Sequence, residues 1–201
     1  MKRILVDMDN ILVDILPTWL KRYNWLADDR LTIDQITGWK IDQFIKPGCS
    51  DQLYSALDEP DFFRFLPPFD GAIEAMKNLE AAGLCPVVCT AMTSAPHAIM
   101  NKAQWVKRHL PSFDLDKQFI VCGPKHTLLC DGIIDDKPST LVNFMTTQPK
   151  VVRATIAWPW SEAAKPYAHI YAEDWKSPAK AWQTIVDALI AYNHKYWERG
   201  V

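Results

Sequence analysis

Two pairs of acids stand at the ends of short apolar runs. Asp7 and Asp9 close RILVDMD, and Asp135 and Asp136 close GIIDDKP. If Asp7 ends a strand, side chains at i and i+2 project to the same side, so the first pair faces one crevice. Two close carboxylates repel unless a cation sits between them. Mg²⁺ suits such a place, because it takes few protein carboxylates and shares its shell with substrate phosphate. A second acid pair at a second strand end completes the protein ligands. Each pair alone also reads as a solvent-facing strand end or a turn; their coincidence weakens that reading. Thr90 ends VVCT, where a hydroxyl and the following backbone N–H groups suit a phosphate oxygen. Lys125 follows QFIVC in a Gly-Pro-Lys turn, where an ammonium neutralises a phosphoryl group as a point charge. Taken singly, Thr90 reads as a turn cap and Lys125 as solvated surface.

The elements that must hold these residues alternate. Strands are expected over Arg3–Asp7, Leu84–Thr90, Gln118–Cys122, Gly132–Asp135 and Val151–Ala157. All are continuous apolar runs, as parallel strands covered on both faces should be. Helices are expected over Asp14–Leu26, Asp70–Ala82, Ala95–Leu110, Pro138–Met145 and Ser177–Tyr196, with Gly83 as a C-cap and Ser177-Pro178 opening the last one. The βαβ order implies a doubly wound parallel sheet, whose ligand crevice lies at the carboxyl ends of the strands. More than sixty residues separate the first strand from the Asp70 helix, far more than a crossover needs. We read residues 15–68 as a helical cap inserted after the first strand, and 1–14 with 69–201 as the core.

Composition narrows the function. The 201 residues carry 22 Lys plus Arg against 24 Asp plus Glu, so no basic excess exists to neutralise a nucleic-acid polymer. No run approaches the ~18 apolar residues of a membrane span, and the apolar run after Met1-Lys2-Arg3 is too short for a signal peptide. The five cysteines have neither CxxC spacing nor an even count, so they read as reduced core residues of a cytoplasmic protein. Cys89, beside Thr90, has no base placed by sequence to make it a reactive thiol. Five of nine tryptophans (Trp158, Trp160, Trp175, Trp182 and Trp197) lie in the last quarter. Packing of the last helix on the sheet explains them; a homodimer contact is the alternative. The histidines show no ligand spacing.

The order Asp-x-Asp, Thr, Lys, Asp-Asp, each at a strand end, resembles the haloacid dehalogenase superfamily. DMDNILVD, EPDFFRFLPPFDGAIEAMKNL, VVCTAMTSAP, KAQWVKRHL and KHTLLCDGIIDDKP are similar to the 5'(3')-deoxyribonucleotidase family over roughly residues 1 to 145. The resemblance implies a Rossmann-like α/β core with a small helical cap and Mg²⁺-dependent removal of phosphate from nucleoside monophosphates. It implies Asp7 as nucleophile and Asp9 as general acid and base. Metal ligands would come from Asp7, the backbone carbonyl of Asp9, and Asp135 or Asp136, with the choice within that last pair open. Thr90, the Ala91 N–H and Lys125 would stabilise phosphoryl charge. Ile15, Trp39, Phe62 and Phe63 would line the base pocket. Two positions depart from the family pattern. Asn10 stands where many relatives have Gly, and Asn tolerates positive φ better than most residues. Ala91 stands where Ser is frequent.

Two other functions compete. A phosphatase for another small phosphomonoester would use the same acids. A receiver-like phospho-switch also uses strand-end acids, Thr and Lys, but a general acid at Asp9 would hasten loss of the acyl phosphate that a switch must keep.

Overall fold

The computed structural model describes residues 1–93 and 95–197. Six strands form: β1 (Lys2–Val6), β2 (Leu84–Thr90), β3 (Phe119–Val121), β4 (Gly132–Ile134), β5 (Val152–Ile156) and β6 (Ile170–Ala172). The helices are α1 (Leu16–Ala27), α2 (Ser50–Ser55), α3 (Ala72–Ala81), α4 (His97–His109), α5 (Leu115–Gln118), α6 (Pro138–Thr147) and α7 (Pro178–Tyr192). All strand pairs are parallel, in the order β3-β2-β1-β4-β5-β6. The α/β doubly wound architecture expected from the apolar runs is therefore present.

Most strand residues are apolar because both faces are covered, although β5 buries Arg153 and Thr155 as well. Leu5, Val87, Cys89 and Ile133 pack with Phe144 of α6 in one cluster. Ile4, Val6, Val88 and Ile134 belong to a larger cluster with Met76 and Leu79 of α3 and Trp182 and Ile185 of α7. At the start of α3, Gly71 has φ +80°, and a Cβ there would lie 2.7 Å from the Ala179 Cα of α7, so only glycine admits this approach. Register places Val6 opposite both Val88 and Ile134. The residues just past them share one level at the carboxyl edge. The chain order reverses between β1 and β4, the kind of crevice where open α/β sheets bind ligands.

Between β1 and α3 the chain makes α1, α2 and four 3₁₀ turns (Ile33–Gln35, Ile41–Gln43, Ala56–Asp58 and Phe62–Arg64) but no strand of the sheet. Its two ends run side by side: the Asp14 N–H donates to Pro67 O at 3.0 Å, and the Phe69 N–H to Leu12 O at 2.9 Å. The returning limb is held on α4 by side chains that bond backbone carbonyls. Asn101 donates to Pro60 O (2.5 Å), Trp105 to Leu66 O (2.8 Å) and Arg108 to Arg64 O (2.9 Å). Those donors are spaced by three or four residues, one face of a helix.

Several details differ from the sequence expectations. β1 ends at Val6, so Asp7 is the first residue beyond it. α1 begins at Leu16, two residues after Asp14. Ser177 occupies the N-cap position of α7, but its side chain makes no cap hydrogen bond. That helix stops at Tyr192 and widens into a π-helical turn, Asn193–Trp197. β6, α5 and the 3₁₀ segment Pro159–Tyr167 were not expected; each is too short, or too interrupted by Pro and Ala, to show a period. Of the cysteines only Cys89 is fully buried, and all five are free. Among the described residues no helix is long and apolar enough to cross a membrane.

Candidate active site

The acids converge as the topology requires. The Asp7 N–H donates to Ile134 O (2.9 Å) and the Asp135 N–H to Ala154 O (3.1 Å). Each acid is thereby fixed one step past its strand. Carboxylate oxygens of Asp7, Asp135 and Asp136 lie within 4.8 Å of one another. Lys125, in the turn Lys125–Thr127, is buried against them: its Nζ is 2.7 Å from Asp7 Oδ1 and 2.6 Å from Asp135 Oδ2. Backbone groups complete the cradle, the Met8 N–H donating to Asp7 Oδ1 (2.8 Å) and the Lys137 N–H to Asp135 Oδ1 (2.9 Å). Asp136 Oδ2 accepts from Trp160 Nε1 at 3.0 Å. Its Oδ1 is buried with no hydrogen-bond partner among the described residues.

A second cluster adjoins the first. Lys102, fully buried on α4, donates to Asp9 Oδ2 (2.6 Å) and Thr90 Oγ1 (2.9 Å). Its ammonium lies 4.7 Å from the centroid of the Phe63 ring. Asp9 Oδ1 is left without a partner among the described residues. The loop carrying Asp9 turns through Asn10, whose φ is 57°. Two indoles hold it there, Trp158 donating to Asn10 O (2.9 Å) and Trp182 to Ile11 O (3.2 Å).

Burial and charge explain the electrostatics. Burial pushes the Asp7 carboxyl up to about 7, against the pull of Lys125, with Asp135 and Asp9 adding to the rise. Burial and the neighbouring Asp7 and Asp135 also push Asp136 well up. Burial opposes the charge of Lys125, yet Asp135 and Asp7 more than reverse it and hold the ammonium above its ordinary range. Four carboxylates thus meet two buried lysines. With all four ionised the excess is two negative charges, the charge one divalent cation carries, and a bound cation would draw Asp7 and Asp136 to that state. A hard cation takes oxygen ligands, and the free Asp136 Oδ1 beside Asp7 supplies them, so these residues fit a hard divalent cation such as Mg²⁺.

A cleft of about 260 Å³ opens beside the acids, lined by Asn10, Trp19, Trp39, Asp42, Tyr54 and Trp160 among others. Trp19 and Tyr54 are tilted at 6.2 Å between centroids. Lys137, the residue after Asp136, sets its ammonium 5.6 Å from the Trp39 ring.

The sequence profile of the family described as "5' nucleotidase, deoxy (Pyrimidine), cytosolic type C protein" matches residues 1–188. The 5'(3')-deoxyribonucleotidase of Clostridium acetobutylicum is 34% identical over 141 residues, 69% of this chain and 75% of that one. This chain belongs to the 5'(3')-deoxyribonucleotidase family. As a family member it is an enzyme, a phosphoric monoester hydrolase of the nucleotidase type. The deoxyribonucleotidase of Bacillus subtilis is 31% identical over 143 residues, covering 71% of this chain and 80% of its own. In fold, the chain is similar to a haloacid dehalogenase-like protein from Agrobacterium tumefaciens, with TM-score 0.61 and 11% identity over 94% of this chain and 99% of that one.

In this member of the deoxyribonucleotidase family, the strand-end residues Asp7, Asp9, Thr90, Lys125, Asp135 and Asp136 do come together. The Asp9 side chain pairs with Lys102 and is not one of the three carboxylates gathered within 4.8 Å. Lys125 is no solvated lysine; it ties Asp7 to Asp135. Ala91 follows Thr90 at the exposed edge. Of the expected pocket residues only Trp39 lines the cleft. Ile15 is buried in the core, and Phe62 and Phe63 stack edge-on at 5.1 Å inside it. Their positions follow two 3₁₀ and helical turns that sequence spacing does not resolve. Trp19, Tyr54, Lys102 and Trp160 were missed. Lys102 had a visible signal: it falls on the apolar face of α4 with Ala98, Trp105 and Val106, where an unpaired lysine is almost never found. Cys89 is fully buried, and burial pushes its thiol up to about 12, which disfavours the reactive thiolate. Of the five late tryptophans, Trp158, Trp160 and Trp182 are buried core residues, while Trp175 and Trp197 pack against the core half-buried; the three buried indoles also bond the loop after β1 or Asp136.

Proposed function

We propose that this chain is a Mg²⁺-dependent phosphatase that hydrolyses (deoxy)ribonucleoside 5'(3')-monophosphates through an aspartyl phosphate on Asp7, beneath a cap made by residues 15–68. The observation that carries this reading is the juxtaposition of the buried trio Asp7, Asp135 and Asp136 with a second carboxylate–lysine pair, Asp9 and Lys102, at one sheet edge. Phosphoryl transfer needs little beyond positioning and charge neutralisation, and this edge supplies both.

Mg²⁺ would be held by Asp7, Asp136 and the Asp9 carbonyl, and would neutralise phosphoryl oxygens when bound. Asp135 has both oxygens engaged, by Lys125 and the Lys137 N–H, so it acts from behind, fixing Lys125. In the first step a carboxylate oxygen of Asp7 attacks phosphorus and the bond from phosphorus to the nucleoside oxygen breaks. The leaving oxygen takes a proton from Asp9, whose Oδ1 is free to carry it. Asp9 then accepts a proton from water as the water oxygen attacks phosphorus. Phosphate leaves and the Asp7 carboxylate returns. Lys102, Lys125 and the Thr90 hydroxyl neutralise charge on the transferring group. Trp39, with Trp19 and Tyr54, offers aromatic faces on which a base stacks whatever its identity.

A panel of phosphomonoesters assayed with Mg²⁺ and with EDTA tests the reading. It predicts metal-dependent phosphate release from dUMP or dTMP, faster than from the matching ribonucleotides. Turnover restricted to non-nucleotide esters would favour a phosphatase for another small phosphomonoester, and full activity in EDTA would remove the metal.

A further inference from the structure

Trp160 touches both halves of the site. Its indole N–H donates to Asp136 Oδ2 at 3.0 Å in a fully buried bond. Its ring lines the 260 Å³ cleft, and also a second cleft of about 600 Å³ on the other side of Trp39. The ring has little freedom. It stacks on Trp158 with centroids 5.1 Å apart and planes 4° from parallel. Trp158 is itself fixed, by its bond to Asn10 O and by contacts with Phe69 and Trp175. The following residue, Ser161, locks the turn by donating to Ile156 O (2.8 Å) and Trp158 O (3.1 Å).

A hydrogen bond to one oxygen restrains a carboxylate's otherwise broad last torsion. The bond from Trp160 therefore fixes where the free Asp136 Oδ1 sits. Partners that orient metal-binding carboxylates in this way contribute strongly to cation affinity. The same ring is a wall of the cleft, so a planar group seated against Trp39 bears on the group that orients Asp136.

We propose that Trp160 is a positioning residue that couples aromatic occupancy of the cleft to cation affinity at Asp136. The cleft half rests on the nucleotide reading above; the cation half does not. Linkage makes the coupling reciprocal: a nucleoside must change cation affinity by the factor by which the cation changes nucleoside affinity.

The test is calorimetric titration of Mn²⁺, with and without saturating 2'-deoxyuridine. That nucleoside has no phosphate with which to ligate the metal itself. Three chains are compared: wild type, Trp160→Phe and Trp175→Phe. The phenyl ring keeps the wall and removes the donor; Trp175→Phe trims the same stack without touching an acid. Circular dichroism confirms that each is folded. The proposal predicts that Trp160→Phe binds Mn²⁺ about 10-fold more weakly and that deoxyuridine no longer changes its affinity, whereas wild type and Trp175→Phe show the same affinity and the same response. Unaltered Mn²⁺ binding in Trp160→Phe would overturn the positioning role. A nucleoside effect that survives in Trp160→Phe would overturn the coupling. If wild type binds no deoxyuridine, the nucleotide reading and the coupling fall together, and weaker Mn²⁺ binding in Trp160→Phe still upholds the positioning role.

Discussion

The Lys102 ammonium sits 2.6 Å from Asp9 Oδ2 and 2.9 Å from the Thr90 hydroxyl, wholly buried and roofed by the Phe63 ring. One helix thus delivers a cation to the acid proposed to handle the proton. It delivers it from the same face that pins the returning limb of the 15–68 insertion through Asn101, Trp105 and Arg108. Lys102→Met should therefore lower kcat by about 10²-fold or more, the scale for losing one preorganised charge donor, with KM changed less. Steady-state kinetics on a nucleoside monophosphate checks this; a variant affected in KM alone would assign Lys102 to ground-state binding.

Lys125 has a different signature. It neutralises Asp7 and Asp135 in the interior, and removing one partner of a buried ion pair costs about 3–5 kcal/mol. Lys125→Met should be strongly destabilised in EDTA, and Mg²⁺ should restore more stability to it than to wild type, because the cation replaces the lost charge. Thermal unfolding of both chains with and without Mg²⁺ measures the difference. An equal Mg²⁺ effect would place the cation away from this cluster.

Acid should weaken the fold through two histidines. Burial, and then the charge of Arg153, hold His169 below its ordinary value; burial and Arg108 do the same to His109. A base whose folded value is lowered binds its proton more readily in the unfolded chain. Its contribution is complete above the unfolded value of about 6.5 and is lost as pH falls below it. His169 Nδ1 accepts the Arg153 backbone N–H at 3.1 Å, a bond that protonation breaks. The fall in melting temperature from pH 7.5 to 5.5 should be smaller in His169→Gln than in wild type. An identical fall would remove His169 from the account.

The buried thiol of Cys89, pushed up to about 12, should resist alkylation at pH 8, since the thiolate is the reactive form. Mass spectrometry after iodoacetamide treatment of the folded chain should find Cys89 unlabelled and activity retained; rapid labelling of Cys89 with loss of activity would restore it as a reactive group.

What the sequence revealed followed from period and polarity. Mostly apolar runs marked β1 to β5, and the acids that follow β1 and β4 marked the candidate edge, because a parallel sheet buried on both faces keeps most polar residues at its ends. The resemblance, through the glycine of relatives at this position, implied positive φ at Asn10, and it is met at 57°. The pocket was not legible. Ile15, Phe62 and Phe63 are core residues, while Trp19 and Tyr54 face the cleft; short helices and 3₁₀ turns set those directions, and no period fixes them. Lys102 was readable as a lysine on an apolar helix face, but its partners Asp9 and Thr90 lie on other elements 93 and 12 residues away. The indole bonds of Trp158, Trp160 and Trp182 join segments far apart in sequence, so composition alone presented them as packing.

The central claim is that Asp7 carries the phosphoryl group. Enzyme mixed with ³²P-labelled deoxynucleoside monophosphate and Mg²⁺, quenched in acid within the first turnover and digested, tests it directly. The account predicts acid-stable label on the peptide containing Asp7, absent from Asp7→Asn, which also releases no phosphate. Label on another residue, or turnover by Asp7→Asn at the wild-type rate, would contradict it.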